Sequence, residues 1–152
     1  MQTFLPYESF EQSAKCLDMR RLGKQRVEVL QLLNALMGMS KGWVNHPAAK
    51  MWRGREYWLA QYGMVMCNEW IARGYRDTCL NKIGGLYIMA EKVLKPYWLG
   101  DPEFHASHRS VLLAKDPVWY GNFGWTEQPA VKNSKGSFPY IWPEESDVLT
   151  LF

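Results

Sequence analysis

The helical architecture of this chain follows from Leu17-Asp-Met-Arg-Arg-Leu-Gly-Lys-Gln-Arg-Val-Glu-Val-Leu-Gln31. Cations crowd its first half and apolar residues continue from its second half: Arg20, Arg21, Lys24 and Arg26, then Val29, Leu30, Leu33, Leu36 and Met37. Asp18 is a suitable N-cap, because its carboxylate can accept hydrogen bonds from the first backbone N–H groups. The pattern predicts a helix from Asp18 to about Gly38 or Gly42, with a basic start facing an anion and a far end in the core.

A helical wheel separates two faces of this helix. At about 100° per residue, Arg20, Lys24 and Glu28 fall on one line, and the opposite arc is apolar. Arg26 falls inside the apolar arc, so its guanidinium must be paired, reach the helix end or face a cavity. A glycine at position 23 lowers helix stability by about 1 kcal/mol relative to Ala. Close approach of a ligand or another backbone would explain why a glycine is present there. Taken alone, the basic face fits a solvated surface as well as an anion site.

Composition bounds the class of protein. A chain of 152 residues with 47% hydrophobic residues predicts one domain with a real core and excludes wholesale disorder. The net charge of +3 permits a polyanion partner without demanding one. Three cysteines without metal-like spacing suit reduced thiols, and no signal peptide or membrane span is evident. We expect an all-α fold, since no stretch alternates with period two. We also expect a cytoplasmic monomer without metal or cofactor.

Capping and proline signals place the other helices. Ser9-Phe-Glu-Gln12 fits a capping box that starts a short helix. Pro47 suits the first position of a second long helix, over residues 48–73. Asp77 can cap a third helix, which Gly84-Gly85 is expected to interrupt.

Glu69 lies at the centre of the apolar face of the second long helix. A lone buried carboxylate is costly, so it needs a partner. Arg26 is the other misplaced charge, and the favoured prediction is either a structural Arg26–Glu69 pair or a half-exposed Glu69. A functional carboxylate is the alternative.

A further helix is predicted from Asp101-Pro102 to about Lys115. It carries His105, His108 and Arg109 at positions i, i+3 and i+4, so the three share one face. Two histidines at this spacing can bind a metal, but no matching Cys or carboxylate pair is evident. Hydrogen bonds to phosphate or to the core are therefore favoured.

The C-terminal part is rich in aromatic residues and loops. Val118-Trp-Tyr-Gly-Asn-Phe-Gly-Trp125 can stack on exposed bases or simply fill the core. The segment from Thr126 is polar, and Tyr140-Ile-Trp-Pro143 is its expected anchor. We expect a helical domain over residues 1–125 and an extended tail over residues 126–152 packed on it.

Two motifs, Met1-Gln-Thr-Phe-Leu-Pro6 and Leu17 to Glu28, are accompanied by smaller ones further along the chain. These are Asn45-His46-Pro47, Glu69 with Arg73-Gly74-Tyr75, Arg76-Asp77-Thr78, Phe104-His105 with Ser107-His108, Lys115-Asp116-Pro117, Trp119-Tyr120 and Tyr140 to Pro143. In this order they resemble the pyrimidine-dimer DNA glycosylase family of the phage endonuclease V type, and more closely a bacterial and phage branch of it. The resemblance covers most of residues 1–125 and the tail motif.

The resemblance implies a compact helical fold with the N-terminus in the active site and double-stranded DNA as partner. Members of the family cleave the glycosidic bond of a damaged base and then nick the strand. Their nucleophile is the α-amine of the first residue, which attacks C1′ and forms a Schiff base. An α-amine suits this chemistry, because an ordinary pKa of about 8 leaves part of it unprotonated at neutral pH.

Carried over by position, the resemblance makes Met1 the nucleophile. The family's glutamate falls on Arg21 or Gly23, so Glu28 is the nearest acid/base candidate, with Asp18 and Glu69 as others. Lys24 is an alternative nucleophile through its ε-amine. The residues that we assign to nucleic-acid binding are Arg20, Arg21, Arg26, His46, His105, His108, Arg109, Trp119 and Tyr120.

Three hypotheses follow. The first is a DNA glycosylase and AP lyase acting on a damaged or modified pyrimidine, with the Met1 amine as nucleophile and Glu28 as acid/base. The second is a non-catalytic nucleic-acid-binding module that has kept the anion site. The third is an enzyme acting on a nucleotide-like phosphorylated ligand.

Overall fold

The computed structural model describes residues 1–144, and within this range the chain is entirely helical or irregular. Its α-helices are α1 (Phe10–Cys16), α2 (Met19–Leu36), α3 (Pro47–Trp52), α4 (Glu56–Ala72), α5 (Leu80–Met89), α6 (Pro102–Lys115) and α7 (Pro117–Tyr120), followed by a 3₁₀ turn (Gly121–Phe123). The prediction of an all-α fold is confirmed. No helix among residues 1–144 combines the length and the apolar composition needed to cross a membrane.

The capping signals are confirmed at three helices. The Ser9 hydroxyl accepts from Gln12 N at 3.1 Å at the start of α1. Asp18 Oδ2 accepts from Arg21 N at 3.3 Å at the start of α2, which ends just before Gly38, a left-handed residue with a φ of 81°. Asp101 caps α6, which spans the predicted residues. Caps are readable from sequence because their hydrogen bonds join residues only two or three positions apart.

The core is built around α2 and α4. Val29 and Leu33 of α2, together with Leu59 and Met66 of α4, are fully buried. Gly63 brings the two helices close, because a Cβ at this position would lie 2.5 Å from Val29 Cγ1. The apolar arc predicted for α2 therefore forms the centre of the fold.

The prediction of one long helix over residues 48–73 is wrong. The helix is broken between α3 and α4 at Gly54, which adopts a left-handed φ of 80°. Gly54 N then donates to Glu56 Oε1 at 3.2 Å, at the first residue of α4. The apolar pattern runs through the break because Trp52 of α3 and Leu59 of α4 are buried in the same core.

The expected interruption of α5 at Gly84-Gly85 is also wrong. The helix runs unbroken through both glycines, while Ile83 and Leu86 on either side are buried in the core. Burial of these neighbours offsets the cost of about 1 kcal/mol per helical glycine. The N-cap residue is Cys79, but the predicted Asp77 does bond the start of the helix, since its Oδ2 atom accepts from Leu80 N at 2.7 Å.

The predicted Arg26–Glu69 pair is wrong. Arg26 is paired with Asp77, and its guanidinium lies 4.4 Å from the centroid of the Trp70 ring. Glu69 Oε2 accepts instead from Arg73 Nε at 3.2 Å, one helical turn away. Asp77 is the better partner because its carboxylate, at the start of α5, is only 3% exposed. A buried carboxylate needs a counter-charge, and Arg26 supplies it.

Gly23 is explained by the same cluster. A Cβ at Gly23 would lie 3.0 Å from the Trp70 ring. The close approach expected at Gly23 is therefore made by a side chain, and not by a ligand or a backbone.

Residues 126–144 form no helix and run over α6. Ala130 N donates to Ser110 O at 3.0 Å, and the rings of Tyr140 and Trp142 pack against the core. The division of the chain at residues 125 and 126 stays a prediction. Residues 145–152 of the predicted tail lie outside the described residues.

Replacing Gly63 with Ala is expected to lower the free energy of unfolding by about 1–3 kcal/mol, because the new methyl group overlaps the stiff side chain of Val29. Gly85→Ala is the matched control, since its Cβ meets nothing within 4 Å. Gly85→Ala should raise the free energy of unfolding by about 0.5–1 kcal/mol through helix propensity. Urea denaturation measures both variants, and equal stability of the two would contradict this account of the α2–α4 contact.

Candidate active site

The N-terminal segment is an extended stretch buried between helices. Residues 2–6 belong to no helix, yet Gln2, Thr3, Phe4 and Leu5 are all buried. Buried backbone groups need hydrogen-bond partners, and a lone extended stretch in a helical core has no neighbouring strand to supply them. Side chains of the surrounding helices supply them instead.

Gln25 of α2 and Tyr62 of α4 hold the first half of this segment. Gln25 Nε2 donates to Gln2 O at 2.8 Å, and Gln25 Oε1 accepts from Phe4 N at 2.9 Å. The Tyr62 hydroxyl donates to Phe4 O at 2.7 Å. Burial raises the pKa of Tyr62, so the phenol remains a neutral donor. Gln25 thus pairs with the segment as a neighbouring strand would.

His105 and His108 of α6 hold Leu5 from both sides. Leu5 N donates to His108 Nδ1 at 2.8 Å. Gly100 N donates to His105 Nε2 at 2.9 Å, so the proton of His105 is on Nδ1, which donates to Leu5 O at 2.7 Å. Both imidazoles are therefore neutral, and burial is the main cause that lowers the pKa of each, to about 3 for His108.

These contacts bury His105 and His108 and leave Arg109 partly exposed. Arg109 donates to Pro6 O at 2.7 Å and also pairs with Glu127 at 2.8 Å. His108 is fully buried and His105 is 5% exposed. The structure therefore does not bring His105, His108 and Arg109 to a nucleic-acid surface, and the alternative of hydrogen bonds to the core describes them instead.

A pocket of about 330 Å³ opens beside Met1. It lies between the N-terminus, the polar line of α2, the last residue of α6 and the tail. Its lining residues are Met1, Gln2, Phe4, Arg20, Arg21, Lys24, Gln25, Glu28, Lys115, Phe138 and Tyr140. The line that the helical wheel predicted along α2 thus meets the beginning of the chain in one cavity.

Glu28 is the one carboxylate that lines this pocket among residues 1–144. Its Oε2 atom lies 3.4 Å from Gln2 N, next to the residue that carries the α-amine. The other two carboxylate candidates have different partners. Asp18 accepts from the Tyr120 hydroxyl and pairs with Arg21, and Glu69 pairs with Arg73.

The resemblance aligned the family's glutamate with Arg21 or Gly23. At Gly23 the Trp70 ring fills the space where a side chain would lie. Arg21 lines the pocket and bonds Asp18 at 3.1 Å, so it is held on the pocket wall as a cation. Glu28 is therefore the carboxylate that shares the pocket with Met1 within residues 1–144.

Cations outnumber carboxylates around the pocket. Arg20 and Lys24 have no carboxylate partner within the described part of the chain. Lys115 at the end of α6 adds a further ammonium group. Burial first, and then the charges of Arg21, Lys132 and Lys24, lower the pKa of Lys115. The pocket is thus suited to an anionic ligand.

His46 lies next to the amine without lining the pocket. Its Nδ1 atom accepts from Ala48 N at 3.0 Å, which makes it the N-cap of α3. Burial first, and then the positive charge of the N-terminal amine, lower the pKa of His46. The rings of Trp43 and Trp142 meet its edge on either side.

The remaining predicted DNA-binding residues are only partly available. Tyr120 is fully buried, and its hydroxyl both donates to Asp18 and accepts from Asp18 N at 3.1 Å. Trp119 donates to Cys16 O at 2.7 Å but keeps 40% of its surface exposed. Arg26 is paired with Asp77 beneath Trp70. Of these, Trp119 alone presents an open aromatic surface.

Six pocket residues were not selected from the sequence: Gln2, Phe4, Gln25, Lys115, Phe138 and Tyr140. Gln2 and Phe4 belong to the opening motif of the chain. Gln25 and Lys115 belong to motifs that were noticed for the family resemblance. Tyr140 belongs to the expected anchor of the tail. Phe138 had no local signal, because only the path of the tail brings it to Met1.

Comparison with known proteins gives one match. A family model described as pyrimidine dimer DNA glycosylase matches residues 1–82. No curated protein and no solved structure matches the chain. The matched range includes Met1 and all of α2, whereas α6 and the tail wall of the pocket lie beyond it.

The His108 clamp predicts a pH dependence of stability. The pKa of His108 is lowered in the folded protein from 6.5 to about 3, so only the unfolded chain takes up this proton between these values. Stability should therefore fall as the pH drops below 6.5. His108→Asn keeps an acceptor for Leu5 N but does not titrate. The free energy of unfolding of this variant should therefore fall less steeply with pH than that of the wild type, and the two slopes should differ by up to about 1.4 kcal/mol per pH unit. Urea denaturation from pH 7 to 4 tests this, and equal slopes would contradict it.

Proposed function

The chain belongs to the pyrimidine dimer DNA glycosylase family, and from this premise we propose that it is a DNA glycosylase with AP-lyase activity whose reaction takes place beside Met1. Membership implies a damaged pyrimidine in DNA as the target. The observation that carries the proposal is the shared pocket of Met1, Glu28 and the cations of α2. Double-stranded DNA is the proposed partner, and we expect the protein to act as a monomer in the cytoplasm.

The proposed nucleophile is the α-amine of Met1. Its nitrogen lone pair attacks C1′ as the glycosidic bond breaks, and the bonding electrons leave with the base, which takes up a proton. Loss of a proton from the attacking nitrogen and opening of the sugar ring give a Schiff base. Removal of a C2′ proton then expels the 3′ phosphate and nicks the strand.

Glu28 is the proposed acid/base group of this sequence. Its carboxylate lies beside Gln2 N, within the same pocket as the amine. A carboxylate at this position can accept a proton from the attacking amine and later serve the C2′ proton transfer. Arg20, Arg21 and Lys24 would hold a phosphate next to the reacting sugar.

The rigid N-terminal segment supports this assignment. Every residue from Gln2 to Leu5 has a backbone group bonded to a side chain, so the chain that carries the amine is held in place up to the residue after Met1. A nucleophile held in place avoids much of the entropy cost of bringing the reacting atoms together. The side chains that bond this segment, such as Gln25 and His108, therefore support the proposed chemistry by positioning the N-terminus.

A second candidate is an enzyme acting on a nucleotide-like phosphorylated ligand. The pocket volume of about 330 Å³ favours it, because small-molecule sites begin at about this size. In that case the cations would bind the phosphate of a free nucleotide.

Borohydride trapping on duplex DNA with an abasic site tests the proposal. We expect a covalent adduct that peptide mapping assigns to Met1, in protein whose intact mass shows an untagged N-terminus. Glu28→Gln should slow strand nicking by about 10²–10⁴-fold, because it removes the acid/base group. Lys24→Ala should still be trapped, and Lys92→Ala, an exposed change outside the pocket, serves as the control.

The other outcomes separate the alternatives. An adduct that disappears in Lys24→Ala would assign the nucleophile to the ε-amine. Duplex binding with a steep salt dependence but without trapping or nicking would indicate a binding module. Tight binding of a free nucleotide without affinity for DNA would indicate the nucleotide enzyme.

A further inference from the structure

The tail forms a rigid turn beside the pocket. Asn133 N donates to Ser137 O at 2.8 Å, and Gly136 N donates to Asn133 O at 2.9 Å. The Asn133 side chain also accepts from Lys135 N at 2.9 Å. Because these bonds close the turn on itself, it presents the following residue, Phe138, as part of the pocket wall.

Two ammonium groups gather at the Phe138 ring. Lys115 Nζ and Lys132 Nζ each lie 5.1 Å from its centroid. Neither lysine has a carboxylate partner among residues 1–144. A cation over an aromatic ring gains about 0.5–1 kcal/mol at an exposed site, which does not remove the repulsion between two like charges. An anion between the two ammonium groups would therefore be bound favourably.

The tail and α6 are fixed to each other near these lysines. Ala130 N donates to Ser110 O at 3.0 Å, and the Ser110 hydroxyl donates to Gln128 O at 2.6 Å. Lys132 follows this junction by two residues, and Lys115 ends the helix that contains Ser110. The two ammonium groups are therefore brought together by backbone contacts, and do not meet only through flexible side chains.

We propose that Lys115 and Lys132, positioned by Phe138, form a second phosphate subsite that binds one phosphodiester of the DNA strand. Lys115 and Phe138 line the same pocket as the α2 cations Arg20 and Lys24, and Lys132 joins Lys115 at the Phe138 ring. A pocket of about 330 Å³ accommodates one nucleotide unit, so that the phosphates on its two sides meet different walls. The proposal rests on the proposed function, since it requires DNA in the pocket.

The subsite lies outside the residues that the family model matches. The match ends at residue 82, whereas Lys115, Lys132 and Phe138 all follow it. The subsite is therefore proposed from this chain's own contacts at the Phe138 ring. Its expected effect is to fix the register of the strand across the pocket, because phosphate contacts position a protein on DNA without reading sequence.

The salt dependence of DNA binding tests the subsite. The slope of log Kobs against log salt concentration is measured for a duplex with a stable abasic analogue. The double variant Lys115→Ala/Lys132→Ala should make the slope shallower by about 0.9, the value for one phosphate. Phe138→Leu should reduce the slope in the same direction, because it keeps the apolar volume but removes the ring. Lys135→Ala, in the same turn but without contact to Phe138, should leave the slope unchanged.

Each other result overturns the proposal in a distinguishable way. An unchanged slope in the double variant shows that the two lysines bind no phosphate. A loss of about 1.8 shows two separate phosphates, and an equal loss in Lys135→Ala shows a general charge effect. If the wild-type protein binds no DNA, the proposed function fails and the subsite fails with it. If it binds DNA but forms no Schiff base, the slopes still decide the subsite.

Discussion

An extended segment can be buried among helices only if side chains complete its backbone hydrogen bonds. His105 and His108 do so for both backbone groups of Leu5, with the proton on opposite ring nitrogens. Gln25 and Tyr62 do the same for Phe4. Each group left unpaired would cost about 1–3 kcal/mol. These side chains therefore fix the path of the chain's first residues, and with it the place of the α-amine.

The polar residues of the molecule divide into two sets. In one set charges are matched and buried, as in the Arg26–Asp77 pair beneath Trp70. In the other set, along the pocket, the cations Arg20 and Lys24 have no carboxylate partner within residues 1–144, and Glu28 lies beside the N-terminus. Unmatched cations on a pocket wall are typical of sites that bind an anion. The first set stabilises the fold, and the second is free to act on a ligand.

The residues that follow α5 complete the pocket whose other walls come from the first half of the chain. The family match ends at residue 82 and contains Met1 and α2. Helix α6 holds the N-terminal segment, and its last residue, Lys115, reaches the pocket that Phe138 and Tyr140 of the tail help to close. The pocket therefore combines Met1 and α2, which lie within the family match, with Lys115, Phe138 and Tyr140, which lie beyond it.

The sequence by itself determined the all-α class, the caps of α1, α2 and α6, and the alignment of Arg20, Lys24 and Glu28 on one face. Each depends on hydrogen bonds or spacings within a few residues. It failed where remote segments decide, as at Arg26, whose partner Asp77 is 51 residues away. It also did not identify the partner of His105, which holds a backbone group 100 residues earlier. Tertiary structure alone chose these partners, because a buried polar group pairs with whatever the packing of distant segments brings within reach.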